Sequence, residues 1–272
     1  MVVSSGLHRS AKVRIRRINN IRSFVVFSGA VRRLLAGLLF LLACNGTVAG
    51  ERVLKVAVLN HSPPMSYTDA SGTLVGFNVE IMQALCDTMK VRCQAVPMPL
   101  DQVVDDVAAG NVDFAAVSLV ATPARKARVA MTKPYYRSIS VWFARPGVTP
   151  GALRAALVKG SVQARYAETQ GWPEPLLVES HDTVVSMLAD GRIAATLLPM
   201  PTALALQQDP RVQGLGLVTT VVHGAGLAGD VCLSVTPRDD ALVGMLNRAI
   251  DQIKRDGRFD RINTRYIPFR LQ

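Results

Sequence analysis

The run NVEIMQALCDTMKVRCQAV, residues 78–96, decides the architecture. Its apolar side chains recur at Val79, Met82, Leu85, Cys86 and Met89, a spacing that predicts a helix over 78–90 with one buried stripe, and residues 91–96 then read as a strand. Working outward, 54–59 reads as a strand, 101–109 as a helix ended by Gly110, 112–119 as a strand, and Pro123 opens another helix. Strands and helices in that alternation place the chain in the α/β class, with a mainly parallel sheet covered on both faces.

The pattern restarts near residue 147. A strand over 138–144 precedes a helical 152–156, a strand over 158–164, another over 176–179, a helix over 182–190 with Gly191 beyond it, and a strand over 193–198. A strand over 215–222, one around Cys232 and a closing helix over 239–256 complete the reading. The stripe of that helix is Leu242, Met245, Leu246, Ala249, Ile250 and Ile253, and Gly257 stops it.

Composition narrows the function. Of 272 residues 49% are apolar and 19% charged, enough for a sizeable core, which excludes disorder, collagen and coiled coil. The net charge of +11 would suggest a polyanionic partner. Eight of the 31 basic residues, however, lie in the first fifty positions, which hold no acid. The rest of the chain carries 23 basic against 20 acidic residues, and nucleic acid is excluded as a partner.

That basic prefix, an apolar run over 34–43 and small residues through Gly50 form the order of a secretory signal, so 1–50 reads as signal peptide and upstream extension. Ten apolar residues fall short of a bilayer span, although the patch over 24–31 leaves an uncleaved anchor as the alternative. Val48-Ala49 has the form of a signal peptidase site. Leu41-Leu42-Ala43-Cys44 has the form of a lipobox, on which reading Cys44 carries lipid. The expected location is outside the cytosol, and the resemblance given below implies the periplasm.

Export changes the meaning of Cys86 and Cys93, which stand seven apart: outside the cytosol such a pair reads as a disulfide, the alternative being two buried thiols. Cys232 reads as a small core residue. No metal spacing links the four cysteines and four histidines, and no cofactor motif is present. The literal G-x-G-x-x-G over 224–229 leads into a strand, not a helix, and lacks phosphate-cradling geometry.

One site follows from local chemistry. Thr122 suits an N-cap and Pro123 the first helical position, so a helix begins just past the strand ending near Leu119, with Arg125 in its first turn. Free N–H groups, positive potential and a planar five-donor fork suit a carboxylate.

The residues also carry a resemblance. Leu74-Val75-Gly76-Phe77-Asn78-Val79-Glu80, Gly110-Asn111-Val112-Asp113-Phe114, Thr122-Pro123-Ala124-Arg125-Lys126, Lys133-Pro134-Tyr135-Tyr136, Asn247-Arg248-Ala249-Ile250 and Asp256-Gly257-Arg258-Phe259 follow in the order and spacing of the extracellular solute-binding proteins of family 3, the amino-acid receptors of ABC importers. The Cys86-x6-Cys93 spacing further resembles the histidine and lysine/arginine/ornithine binding members. The resemblance implies a periplasmic-binding-protein-like type II fold: two α/β lobes on a two-strand hinge, closing on a small ligand. Lobe one would be 51–144 with 230–272 and lobe two 145–229. A monomer with no cofactor, delivering its ligand to an ABC transporter permease, is expected.

By the same resemblance Arg125 takes the ligand's carboxylate with help from Ser118, and the cleft set is Arg125, Ser118, Thr122, Val120, Ser62, Leu100, Tyr166 and Pro199. Several of these depart from the family pattern. Val120 stands where Ser or Thr is common, Ser62 where an aromatic ring stacks, and Arg165 and Tyr166 where a strand is followed by Gly-Thr. Pro199 stands where the family has the Asp that pairs with an α-ammonium. Either Glu179 or Asp182 takes over that pairing, or the ligand has no ammonium. Two alternatives share the scaffold: a cyclohexadienyl dehydratase-like enzyme with Glu179 or His181 as general acid, and a membrane-tethered ligand sensor.

Overall fold

Three parallel strands, β1 (Val53–Leu59), β4 (Arg92–Met98) and β5 (Phe114–Val120), run in the spatial order β4-β1-β5. Val56 to Leu59 are all buried, as expected of a parallel strand covered on both faces. Antiparallel β13 (Gly229–Val235) returns beside β5, and β6 (Ala130–Met131) and β7 (Tyr136–Ser138) pair with its other edge. A small hairpin of β2 (Tyr67–Thr68) and β3 (Leu74–Val75) precedes the first helix. The computed structural model describes residues 53–271. The expected signal segment, both expected cleavage motifs and Cys44 lie outside the described residues.

Helix α1 (Phe77–Met89) buries Val79, Met82, Leu85 and Cys86 as its period requires, and also Phe77 and Ile81, because it is covered on more than one side. Cys86 in its last turn is bonded to Cys93 on β4. Closing a loop with ends seven residues apart contributes about 2.5 kcal/mol on the chain-entropy account. The double variant Cys86→Ser/Cys93→Ser is therefore expected to melt roughly 5–10 °C below the oxidised protein in a thermal scan; an unchanged midpoint would contradict a stabilising bridge. Helix α2 (Leu100–Ala109) ends at Gly110, whose φ of 76° supplies the left-handed C-cap. The last long helix, α7 (Asp240–Arg255), buries Leu242, Leu246, Ala249, Ile250 and Ile253, while Met245 is only half-buried.

The second sheet comprises β8 (Ser140–Ala144), β9 (Ala155–Val158), β10 (Leu176–Val178), β11 (Ala195–Pro199) and β12 (Val218–Val221) in the order β10-β9-β11-β8-β12. Its helices are α4 (Val162–Thr169), α5 (His181–Ala189) and α6 (Met200–Gln207). Both sheets belong to one compact unit, Gly50–Gln272. The chain crosses between them at Ile139 and again between β12 and β13. Ser140 ties the crossings together: its carbonyl accepts from Val222 N at 3.2 Å and its hydroxyl donates to Leu227 O at 2.7 Å.

Four details differ from the sequence reading. The strand expected over 138–144 breaks at Ile139, and 140–144, assigned to lobe one, pairs within the second sheet. Residues 152–156 are not helical and 158–164 is not a strand: Ala155-Ala156-Leu157-Val158 is a fully buried strand, and Ser161 caps the following helix by accepting from Ala164 N. An alanine-rich apolar run of four satisfies both periods, and tertiary burial chose the strand. The helix from Pro123 is a single turn, α3 (Pro123–Lys126). Finally, α6 and α8 (Arg258–Tyr266) went unread, because Pro199 and Gly257 act as helix starts rather than as breaks.

Candidate functional site

The carboxyl ends of the parallel strands in both sheets face one another. Met98 leads to Leu100, β5 ends in Ser118-Leu119-Val120, β9 leads through Lys159-Gly160 to Ser161, and β11 ends at Pro199. Ligand sites of open α/β sheets form at such ends. They enclose here a cavity of about 60 Å³ lined by Ser62, Leu100, Ser118, Val120, Arg125, Tyr136, Ser138, Ser161, Gln163, His181, Pro199 and Thr202 among others.

Six of the eight expected cleft residues thus meet at one cavity: Ser62, Leu100, Ser118, Val120, Arg125 and Pro199. Thr122 lies beside it, capping α3 by accepting the Arg125 N–H at 3.3 Å. Tyr166 does not line it. Its ring packs edge-on against Trp172, at a centroid distance of 6.1 Å. The strand–glycine–hydroxyl sequence aligned with Arg165-Tyr166 is instead Val158-Lys159-Gly160-Ser161. The misplaced strand carried that alignment about five residues too far along the chain.

Arg125 spans the gap between the two sheets. Its Nη1 donates to Val120 O at 2.9 Å on one side and its Nη2 to Gly160 O at 2.8 Å on the other. Burial lowers its pKa to about 10, so it stays cationic at neutral pH. Because α3 is one turn long, the fixed positive charge here comes from the guanidinium and not from a helix dipole. Gly160 is required on the facing side: its φ is +76°, and a Cβ there would lie 2.7 Å from the Asp101 backbone. Lys159 Nζ reaches Asp101 at 2.8 Å beside this contact.

Ser118 has φ of 58°, left-handed for a non-glycine residue in a strand. Its hydroxyl donates to Asn78 Oδ1 at 2.9 Å, leaving its lone pairs available to the cavity it lines. Strain of this kind persists where surrounding structure holds it and collects at functional sites. Opposite, Ser62 Oγ meets His181 Nδ1 at 2.8 Å, a bond between segments 119 residues apart. Burial lowers the His181 pKa to about 4, so the imidazole is neutral at pH 7. Gln163 is buried and donates from Nε2 to Ser140 Oγ at 2.8 Å, linking the cavity floor to the crossing segments.

Neither acid considered as an ammonium partner reaches the cavity. Glu179 is exposed, and Asp182 Oδ1 accepts from Arg211 Nη2 at 2.9 Å. Among the described lining residues there is no carboxylate, and Arg125 is the sole formal charge. Among the described residues no group of three His, Cys, Asp or Glu side chains can hold a metal ion, and no helix is long and apolar enough to cross a membrane. Sequence reasoning missed Gln163, Ser161 and Thr202, which only tertiary pairing brings to the cavity.

The chain is 26% identical to the L-arginine-binding protein of Pseudomonas aeruginosa, over 82% of this chain and 91% of that one. It is also 26% identical to the lysine/arginine/ornithine-binding periplasmic protein of Escherichia coli K12, over 84% and 93%. Among solved structures, an ancestral arginine-binding protein bound to arginine superposes with a TM-score of 0.72 at 19% identity, covering 79% of this chain and 99% of that one. An ancestral amino acid-binding protein described as a precursor of cyclohexadienyl dehydratase gives 0.69 at 19% identity, over 79% and 95%. These two structural likenesses carry the fold alone. With residues 54–269 matched from the first strand to the last helix, the chain belongs to the bacterial extracellular solute-binding proteins, family 3.

Proposed function

We propose that this protein is the exported substrate-binding component of an ABC importer, that its two α/β lobes close on a small carboxylate without an α-ammonium, and that it hands this solute to a membrane permease. The single observation behind this reading is the charge of the cavity: one guanidinium, no carboxylate, and neutral polar groups elsewhere among the described lining residues. A monoanion leaves such a site neutral. A zwitterion would leave the net positive charge in place and set its ammonium, without an anionic partner, near a guanidinium. The lobes are 53–138 with 229–271, and 140–221, hinged at the two crossings that Ser140 ties. The Ser161 hydroxyl and the second N–H of Gln163 Nε2 supply the neutral hydrogen bonds that one arginine cannot, since micromolar affinity needs about 8 kcal/mol, while the Ser118 hydroxyl hydrogen stays on Asn78.

A dehydratase on this scaffold would require a general acid at the ligand. Glu179 is exposed and outside the cavity lining, and a neutral His181 with pKa near 4 is a poor proton donor at pH 7. Binding without turnover is therefore the reading that the side chains support. Lipidation at Cys44 would keep the protein at the membrane, and cleavage after Ala49 would release it into the periplasm.

The test is a thermal-shift and calorimetry panel on protein stripped of ligand by unfolding and refolding. Acetate, propionate and other short carboxylates are expected to raise the melting temperature; saturation at a hundred times Kd adds about 2.7 kcal/mol. Tight binding of arginine, lysine or histidine with no response to any short carboxylate would overturn the ligand class, and turnover of prephenate or arogenate would overturn the binding-only reading.

A further inference from the structure

The Ser62–His181 pair has no place in the grip on a carboxylate. It is a neutral donor–acceptor unit, assembled from both lobes, lining the same small cavity as Arg125. With Nδ1 engaged by the serine hydroxyl, the imidazole keeps Nε2 for another partner. If Ser62 donates to Nδ1, Nε2 carries a hydrogen and donates. If Nδ1 donates to Ser62, Nε2 accepts. A ligand hydroxyl satisfies either tautomer and an oxo group satisfies the first, whereas an alkyl group satisfies neither.

Size narrows the choice further. The cavity volume of about 60 Å³ corresponds to roughly four to six water-sized atoms. An arginine-sized solute exceeds that about two- to threefold in non-hydrogen atoms, while a two- or three-carbon acid with one further oxygen fills it. Ser62, His181 and Gln163 line the same cavity as Arg125, so they are the polar walls that the carbon next to an Arg125-held carboxylate can meet there.

We propose that the cavity selects a compact hydroxy- or oxo-monocarboxylate, with Ser62 and His181 reading the oxygen next to the carboxylate. This rests on the carboxylate reading above and names its substrate class. A site built to hydrogen-bond such an oxygen discriminates against the analogue lacking it, because its buried polar groups are then left unpaired.

Calorimetry on the stripped full-length mature protein with glycolate, L-lactate, pyruvate, propionate and L-alanine tests it. At least one of the first three is expected to bind about tenfold or more tighter than propionate, and alanine to bind more weakly than any of them. In Ser62→Ala and His181→Ala, each verified as folded by its melting temperature, the ratio of the preferred acid to propionate is expected to fall towards one. A general loosening of the fold would not change that ratio. Propionate binding as tightly as all three oxygenated acids, tighter binding of alanine, or a ratio unchanged in both variants would overturn this inference alone. Failure of all five to bind would instead overturn the carboxylate reading, and this inference with it.

Discussion

Arg125→Ala is expected to weaken binding of a short carboxylate by at least a hundredfold or so while leaving a folded protein. The guanidinium has five N–H donors. Two are committed to Val120 O and Gly160 O, and three remain for a ligand. Two charge-assisted hydrogen bonds to a carboxylate contribute about 1.5–3 kcal/mol each, and about 1.4 kcal/mol is a factor of ten in Kd. Alanine removes both bonds and also the sole formal charge among the described lining residues, so the anion would enter a partly dry cavity without a counter-charge. Stability should change little, because Arg125 lies on a one-turn helix whose other residues are exposed. Arg125→Lys keeps the charge but loses the planar fork and the bridge between Val120 and Gly160, and should recover only part of the affinity. Titration calorimetry with the tightest-binding short carboxylate, alongside melting temperatures, reads both effects. Binding by the alanine variant within threefold of the native protein would mean that another group holds the carboxylate.

The first half of this fold is legible because its elements are long and periodic. Residues 78–90 have one dominant stripe, and the strands on either side are apolar runs bounded by turn residues, so helix, strands and disulfide fall where the pattern puts them. The second sheet begins with Ala155-Ala156-Leu157-Val158, four residues without a period of their own. Only pairing with β10 and β11 decides their state. That slip propagated to the site and assigned Tyr166 a place that Ser161 occupies. Arg125 and Ser118 could be nominated from a local cap and a motif, since both sit where one strand hands over to one turn. The Ser62–His181 contact could not, because two segments 119 residues apart meet only when the sheets face one another, and neither residue belongs to a local pattern. What remained visible was the absence of an acid at Pro199, and the exposure of Glu179 with the pairing of Asp182 to Arg211 turns that absence into a statement about charge.

Acidification from pH 7 to 4 is expected to remove as much as about 3 kcal/mol of stability through His181 alone. The ring is 7% exposed, and burial lowers its pKa from 6.5 to about 4. The unfolded chain therefore takes up this proton more readily than the folded one. The stabilisation is complete above about pH 6.5, is lost progressively as the pH falls towards 4, and changes no further below that, at about 1.36 kcal/mol per pH unit across the window. Groups facing the ring do not relieve the cost of charging it: Arg125 on the cavity wall is cationic, Ser62 is neutral, and Asp182 on the same helix is engaged by Arg211. Carboxylates held low act in a separate range. Asp256, lowered to about 2 by its hydrogen bonds with Arg258, contributes stability that is lost only below about pH 3.8. Urea denaturation at intervals from pH 7.5 to 4 should show the native protein losing stability between 6.5 and 4, and His181→Gln, which cannot take up a proton, losing less by up to the same amount. Parallel curves for the two proteins would mean that the imidazole charges freely in the folded state, as it would if the lobes parted and hydrated the ring without unfolding. Small-angle scattering would separate that outcome, since parted lobes raise the radius of gyration at pH 4 in the native protein but not in the glutamine variant.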